Sequence, residues 1–140
     1  MNNRRSANEG LLVDTPGHLI DLMATCVDLG GANYPSTFNG NQITPLEGVS
    51  LAPAFSDTVI ERPNPIFWEH EGNKAIRVGD WKLVSKHNGK PELFDLAKDR
   101  TEQNDLSGEM PNKVAELAGK WMRWADRASV QEWPVKKRKK

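Results

Sequence analysis

Three histidines, one cysteine and a run of four carboxylates are the side chains whose chemistry reaches beyond packing. His70 closes the segment Ile66-Phe67-Trp68-Glu69-His70 and has a glutamate on each side, Glu69 and Glu71. Flanking carboxylates can orient an imidazole or favour its charged form. His70 is therefore the candidate for a binding-site side chain at the rim of a sheet; the plainer alternative is an edge-strand histidine tied to a loop. His18 opens an amphipathic stretch, where capping or surface placement accounts for it. His87 adjoins Asn88-Gly89, a turn dipeptide, and is expected in solvent. General acid–base work needs a second group poised opposite His70, and a cavity; the sequence names no such partner.

The run Asp95, Asp99, Glu102 and Asp105 raises the question of calcium. Its spacing fits no EF-hand loop, and turn formation on the approach to a helix explains it better. The sole cysteine, Cys26, rules out an intrachain disulfide and a cysteine-cluster metal site. Phosphate-cradling glycine loops, paired CxxC, an HExxH helix and a GxSxG elbow are all missing from the sequence.

The elements that must position these residues are legible from periodicity. A helix is predicted over Asp14–Leu29, with Thr15 as its cap and Pro16 at its first position. Leu19, Leu22, Met23, Cys26 and Val27 make one apolar stripe, which reads Cys26 as a core residue, and Gly30-Gly31 ends the helix. From Ala32 to Pro65 glycine and proline recur too often for a long element, with one helical turn possible over Leu51–Phe55. So long a connection is expected to lie across something larger.

Four short strands follow, over Ile66–His70, Lys74–Val78, Trp81–Lys86 and Glu92–Leu96. Breaks at Glu71-Gly72-Asn73, Gly79-Asp80 and Asn88-Gly89-Lys90-Pro91 make the order an antiparallel meander. Apolar residues on both faces predict cover on both sides. One cover is the helix expected over Pro111–Ala128, whose apolar face is Val114, Leu117, Ala118, Trp121, Trp124, Ala125 and Ala128.

The chain has 140 residues and five tryptophans, enough for one modest core. Its mean hydropathy is −0.65. The formal charge is zero, but Lys136-Lys137-Arg138-Lys139-Lys140 holds five of the nineteen basic groups, leaving the rest at a net of −5. A mildly acidic body argues against a nucleic-acid-binding domain. The tail, 135–140, reads as a basic, disordered end, with a polyanion-binding or targeting tail as the alternative. No apolar run is long enough to span a membrane, and residues 1–13 are irregular without a secretory pattern, so the chain as written is expected to stay in the cytoplasm.

Several stretches, in order, resemble one family. Pro16-Gly17-His18-Leu19-Ile20-Asp21-Leu22-Met23, closing on Asp28-Leu29-Gly30-Gly31-Ala32, resembles the helix late in the chain of arylsulfatases. Pro45-Leu46-Glu47-Gly48-Val49-Ser50-Leu51 is similar to the loop that follows it. Phe67-Trp68-Glu69-His70-Glu71-Gly72-Asn73 through Arg77, then Gly79-Asp80-Trp81-Lys82-Leu83-Val84, is similar to the family's C-terminal sheet. Glu92-Leu93-Phe94-Asp95-Leu96 through Asp99, with Glu102, Asn104, Asp105 and Leu106, follows a family signature, with Arg100 where proline is usual.

The resemblance implies an α+β fold of the alkaline-phosphatase-like sulfatase type: a four-stranded antiparallel sheet on a C-terminal helix, preceded by one helix and a long irregular connection. Residues 14–65 would end the main domain and 66–134 would form the C-terminal subdomain. The family hydrolyses sulfuric esters with a formylglycine and calcium. Cys26 does not fit the formylglycine motif, because Asp28 and Gly30 stand where proline or alanine and then arginine are needed. The chain is thus expected to be an inactive C-terminal arylsulfatase fragment, its partner the missing N-terminal sulfatase domain, with His70 at the pocket rim. The intact enzyme would act on a sulfate ester and be exported. The alternative is a small non-enzymatic interaction module with a polyanion-binding tail.

Overall fold

The computed structural model describes residues 14–56, 60 and 62–135. The irregular N-terminus 1–13 and the basic residues Lys136–Lys140 lie outside the described residues. The chain divides into two compact units, Met1–Pro63 and Asn64–Lys140.

In the first unit, helix α1 spans Asp21–Leu29, later than the predicted start at Asp14. Thr15 and Pro16 precede it, and its N-cap position is Ile20, which makes no side-chain cap. Asp21 replaces that cap: its carboxylate accepts the His18 N–H at 2.7 Å, while its own N–H reaches the His18 carbonyl at 3.0 Å. A two-stranded hairpin, β1 (Thr37–Phe38) and β2 (Asn41–Gln42), follows. Asn39 and Gly40 both take positive φ, 50° and 78°, which is the two-residue turn that asparagine and glycine favour. A short 3₁₀ helix, Ala52–Ser56, completes the unit's regular elements among the described residues.

The burial of α1 is inverted relative to expectation. Leu19, Leu22, Met23 and Leu29 are 76, 56, 57 and 64% exposed, and Cys26 is exposed rather than in a core. The buried residues are Asp21, Ala24 and Thr25, on the opposite side of the helix. The reason is polar: that side carries the groups that satisfy the backbone of the following connection.

The second unit is a meander of β3 (Ile66–His70), β4 (Asn73–Val78), β5 (Trp81–Ser85) and β6 (Pro91–Asp95), antiparallel and in sequence order. Glu71 and Gly72 form the first turn with φ of 52° and 80°, so Asn73 belongs to a strand. Helix α2, Pro111–Arg127, has proline in its first turn, where the missing N–H costs nothing. Ile76, Leu83, Leu93, Leu117, Trp121 and Ala125 make the core between sheet and helix. The row Phe67, Ile76, Leu83 and Leu93 lies on that face. Phe67 stacks on Trp124 at 5.0 Å, and Trp121 meets Trp124 edge-on at 5.9 Å.

The opposite sheet face carries the row Ile66, Arg77, Lys82 and Phe94, and beside it Trp68, Ala75, Val84 and Glu92. Ile66 and Phe94 are buried there, whereas Trp68 is partly exposed. Both sheet edges have partners. The Trp121 indole N–H donates to the Trp68 carbonyl at 3.0 Å, and on β6 the Asp105 carboxylate accepts the Leu93 N–H at 2.9 Å. Leu106 N–H then returns to the Leu93 carbonyl at 2.8 Å. Pairing an edge in this way denies it to another chain.

Candidate functional site

Three places merit examination: the polar side of α1, the acidic run after β6, and the surroundings of the histidines. The first is the most built. Asp21 is fully buried, and its carboxylate accepts the Val49 N–H at 2.9 Å as well as that of His18. Arg62 closes on it with both terminal nitrogens, one at 3.1 Å and the other in a shorter contact, and also reaches the Pro16 carbonyl at 3.3 Å. Burial by itself would raise the Asp21 carboxyl. The Arg62 guanidinium and the two N–H donors outweigh it and hold the group below its ordinary value.

One turn further along, Thr25 donates to the Asp21 carbonyl at 2.7 Å and accepts the Leu51 N–H at 2.9 Å. Ser50 donates to Asp28 at 2.5 Å. Gly48 lies so near α1 that a Cβ there would stand 2.2 Å from the Ile20 carbonyl oxygen. These are the residues of the two stretches that resemble the sulfatase helix and loop. Their role here is a clasp: carboxylate, hydroxyls and a glycine pin residues 48–51 to the polar side of the helix. The arrangement positions backbone: even the Ser50 hydroxyl, which donates to Asp28, accepts the Ala52 N–H at 3.2 Å.

The acidic run is likewise architectural. Asp99 accepts the N–H groups of Asn104 and Gln103 at 2.8 and 2.7 Å, and the Asn104 bond is the main cause of its lowered pKa. Asp105 is lowered by the Leu93 N–H and then by Ser107. Glu102 pairs with Lys82 at 2.5 Å and Asp95 with Lys98 at 3.3 Å. Each carboxylate is turned to a different partner. Among the described residues, no group of three or more His, Cys, Asp or Glu is placed to hold a metal. The described residues of this run do not fit calcium, and Cys26, on an exposed helix face with Asp28 and Gly30 after it, does not fit a formylglycine precursor.

His70 sits at the end of β3, exposed, in register with Asn73 and on the sheet face away from α2. Its carbonyl accepts from the Asn73 side chain at 2.8 Å. Glu69 does not orient it: alternation sends that side chain to the other face, where it accepts the Gly72 N–H at 2.8 Å. Glu71 is spent on the positive-φ turn. The structure therefore brings no acid–base partner to His70 among the described residues.

His87 is exposed, as expected, and also lines a cleft within the second unit, about 710 Å³ in volume. Glu69, Lys74, Trp121 and Trp133 share that lining. The Lys74 ammonium stands 4.9 Å from the centre of the Trp121 ring. Gly72 permits the close approach, since a Cβ there would stand 2.4 Å from His87 Nδ1 and 3.1 Å from the Trp133 Cβ. Of the charged groups in the lining, the Gly72 N–H holds Glu69 and the Trp121 ring faces Lys74. Sequence reading missed the cleft because segment 130–133 folds back on a turn about sixty positions earlier, which no local spacing encodes. The clasp left one signal: Asp21, Thr25 and Asp28 share the side opposite the apolar stripe.

A four-stranded antiparallel meander closed by one helix, preceded in sequence by a clasped helix and connection, is an α+β arrangement that solved structures share, a 2-O GAG sulfatase among them. No protein-family model matches the chain. Arylsulfatase K of Xenopus laevis is 29% identical over 117 residues, which are 77% of this chain and 22% of that protein. Among solved structures, Ps i-CgsB bound to k-i-k-neocarrahexaose is similar with a TM-score of 0.62 and 23% identity, over 79% of this chain and 24% of that one. A 2-O GAG sulfatase is similar with a TM-score of 0.58 and 22% identity, over 83% and 26%. The chain thus spans about a fifth of the length of the curated relatives it matches. No helix among the described residues is long and apolar enough to cross a membrane.

Proposed function

We propose that this chain is the C-terminal part of an arylsulfatase and hydrolyses no sulfate ester by itself. Residues 14–65 close the main domain, and 66–134 form the subdomain that flanks the substrate pocket. Formylglycine, calcium and the cations that hold the sulfate come from the remainder of the enzyme, which is exported. The observation that supports this best is the assignment of the polar groups: those built into the fold hold backbone, and among the described residues no group of three or more His, Cys, Asp or Glu is placed to hold a metal.

His70 is the residue proposed for the pocket rim. It is exposed, it ends a strand, and its ring makes no hydrogen bond or ion pair among the described residues.

The test is hydrolysis of an aryl sulfate in calcium buffer. The chain alone should show no turnover above the uncatalysed rate; turnover by the chain alone would end the reading. In an active sulfatase containing this portion, His70→Ala should raise KM several-fold and leave kcat nearly unchanged, as expected for a group that binds ground and transition states alike.

A further inference from the structure

We propose that Asn39 is a site of spontaneous modification. The Asn39-Gly40 peptide converts, with water as the only co-reactant, to a mixture of aspartate and isoaspartate, while the same dipeptide at Asn88-Gly89 is held back by the sheet it joins. The step is an intramolecular substitution. The backbone nitrogen of the glycine gives up its proton and attacks the asparagine Cγ. A C–N bond forms, the Cγ–Nδ2 bond breaks, and Nδ2 leaves as ammonia. Water then opens the five-membered imide at one of its two carbonyls. Opening at Cγ restores the normal chain as aspartate; opening at the former main-chain carbonyl routes the backbone through Cβ and Cγ as isoaspartate. No atom changes oxidation state. Glycine favours the attack because no Cβ crowds its nitrogen.

Ring closure needs a free glycine nitrogen and a turn that can leave its closed dihedrals. Asn39-Gly40 meets both conditions. The Gly40 N–H and the Asn39 side chain have no hydrogen-bond partner among the described residues. A Cβ built on Gly40 would meet nothing within 4 Å, so the peptide has room to turn. The hairpin around it has two residue pairs, Thr37 with Gln42 and Phe38 with Asn41, beside the Ile43 N–H, which donates to the Ser36 carbonyl at 3.1 Å. Residues 37–42 are all exposed, Phe38 to 66%. A two-stranded hairpin without a buried face is marginally stable in water and opens at small cost.

Asn88-Gly89 meets neither condition. The Gly89 N–H donates to the Lys86 carbonyl at 2.8 Å. Ser85 Oγ lies 3.2 Å from the Lys86 and Gly89 carbonyls, and the His87 N–H reaches the Asn73 side chain at 3.1 Å. The flanking strands β5 and β6 carry Leu83 and Leu93 into the core, so opening this turn disturbs the second unit. Conversion at Asn39 also has a structural consequence. Isoaspartate lengthens the main chain by one carbon inside a two-residue loop whose length sets the pairing, and both products add a negative charge. The β1–β2 pairing should be lost as isoaspartate accumulates.

The test incubates this full chain in neutral buffer for days and follows each amide-to-acid conversion by peptide mapping with mass spectrometry. Asn39 should convert at least about ten-fold faster than Asn88 in the folded chain. In urea that unfolds both units the two rates should become similar. Asn39→Gln should nearly abolish conversion in that peptide, because its ring would be six-membered and closes slowly. Exchange of the Ile43 amide should quicken in step with isoaspartate formation.

Equal rates in the folded chain, or faster conversion at Asn88, would overturn the proposal. The same preference surviving in urea would overturn it too, since neighbouring sequence and not the hairpin would then be the cause. So would conversion that persisted in Asn39→Gln, which would place the chemistry at Asn33 or Asn41.

Discussion

The two units of this chain are stable for opposite reasons. In residues 64–135 apolar side chains face inward: Ile76, Leu83 and Leu93 from the sheet meet Leu117, Trp121 and Ala125 from α2. In residues 14–63 the apolar side chains of α1 face outward, and the interior belongs to Asp21, Thr25 and Arg62. Apolar burial is non-directional and tolerates small errors. A buried ion pair repays its desolvation only while every partner is in place. The second unit has an apolar interior, and the first a polar one.

The largest effect that would sharpen this contrast belongs to Trp121→Ala. The change removes the biggest side chain of the second core, its hydrogen bond to the Trp68 carbonyl and the ring under Lys74. A loss of about 4 kcal/mol is expected, read from urea unfolding followed by far-UV circular dichroism. Amide exchange at Val49 and Leu51 in the first unit should be unaffected. If those amides lost protection as well, the two units would be one cooperative body and the contrast would fail.

Asp21→Asn is the matching change in the first unit. It leaves the Arg62 guanidinium, already lacking a partner for Nε among the described residues, without its counter-charge. The cost should be about 3 kcal/mol, seen as faster exchange at Val49 and Leu51 with α2 untouched. Acid should do the same to the unsubstituted chain. The Asp21 pKa is depressed below its ordinary 3.8, so the stabilisation is complete above that pH and is lost as the pH falls through the lower folded value. Protection at Val49 that persisted after the Asp21 carboxyl had protonated, followed by its own carbon resonance, would show that the carboxylate is not what holds the connection.

How much of this was legible in the sequence divides along the same line. The meander and α2 were readable nearly to the residue, because period-two and period-3.6 patterns were bounded by Glu71-Gly72, Gly79 and Pro111. The stripe on α1 was readable too, but its sense was not. Its burial is decided by partners 28 and 41 positions away, Val49 and Arg62, which periodicity cannot register. Of the two Asn-Gly pairs, Asn39-Gly40 is the one that makes a two-residue hairpin; at Asn88-Gly89 only the asparagine takes positive φ. His70 fell at a sheet rim as expected, but alternation along β3 turned Glu69 away from it. The cleft at His87 depends on a tertiary return and left no local trace.

A smaller effect tests the clasp by shape alone. Gly48→Ala puts a methyl 2.2 Å from the Ile20 carbonyl oxygen, a backbone atom that cannot swing away. About 2 kcal/mol of local stability should be lost from the first unit. Gly108→Ala in the second unit meets nothing within 4 Å and should change the melting temperature little. Equal tolerance at the two sites would mean that residues 48–51 are not pinned to α1.

The smallest effect lies on the outer side of α2. Glu116 accepts from Lys113 and Lys120 at 2.9 and 2.8 Å, and those two ammonium groups, Lys120 first, lower its carboxyl to about 2. The shift is large, yet the group is open to water, where salt and side-chain entropy cancel most of an ion pair's gain. Glu116→Gln should therefore leave the melting temperature where it is, at low and high salt alike, while Asp21→Asn, at a fully buried group, is felt strongly. A marked fall in stability for Glu116→Gln, or none for Asp21→Asn, would show that titration strength and not burial ranks the charges of this chain.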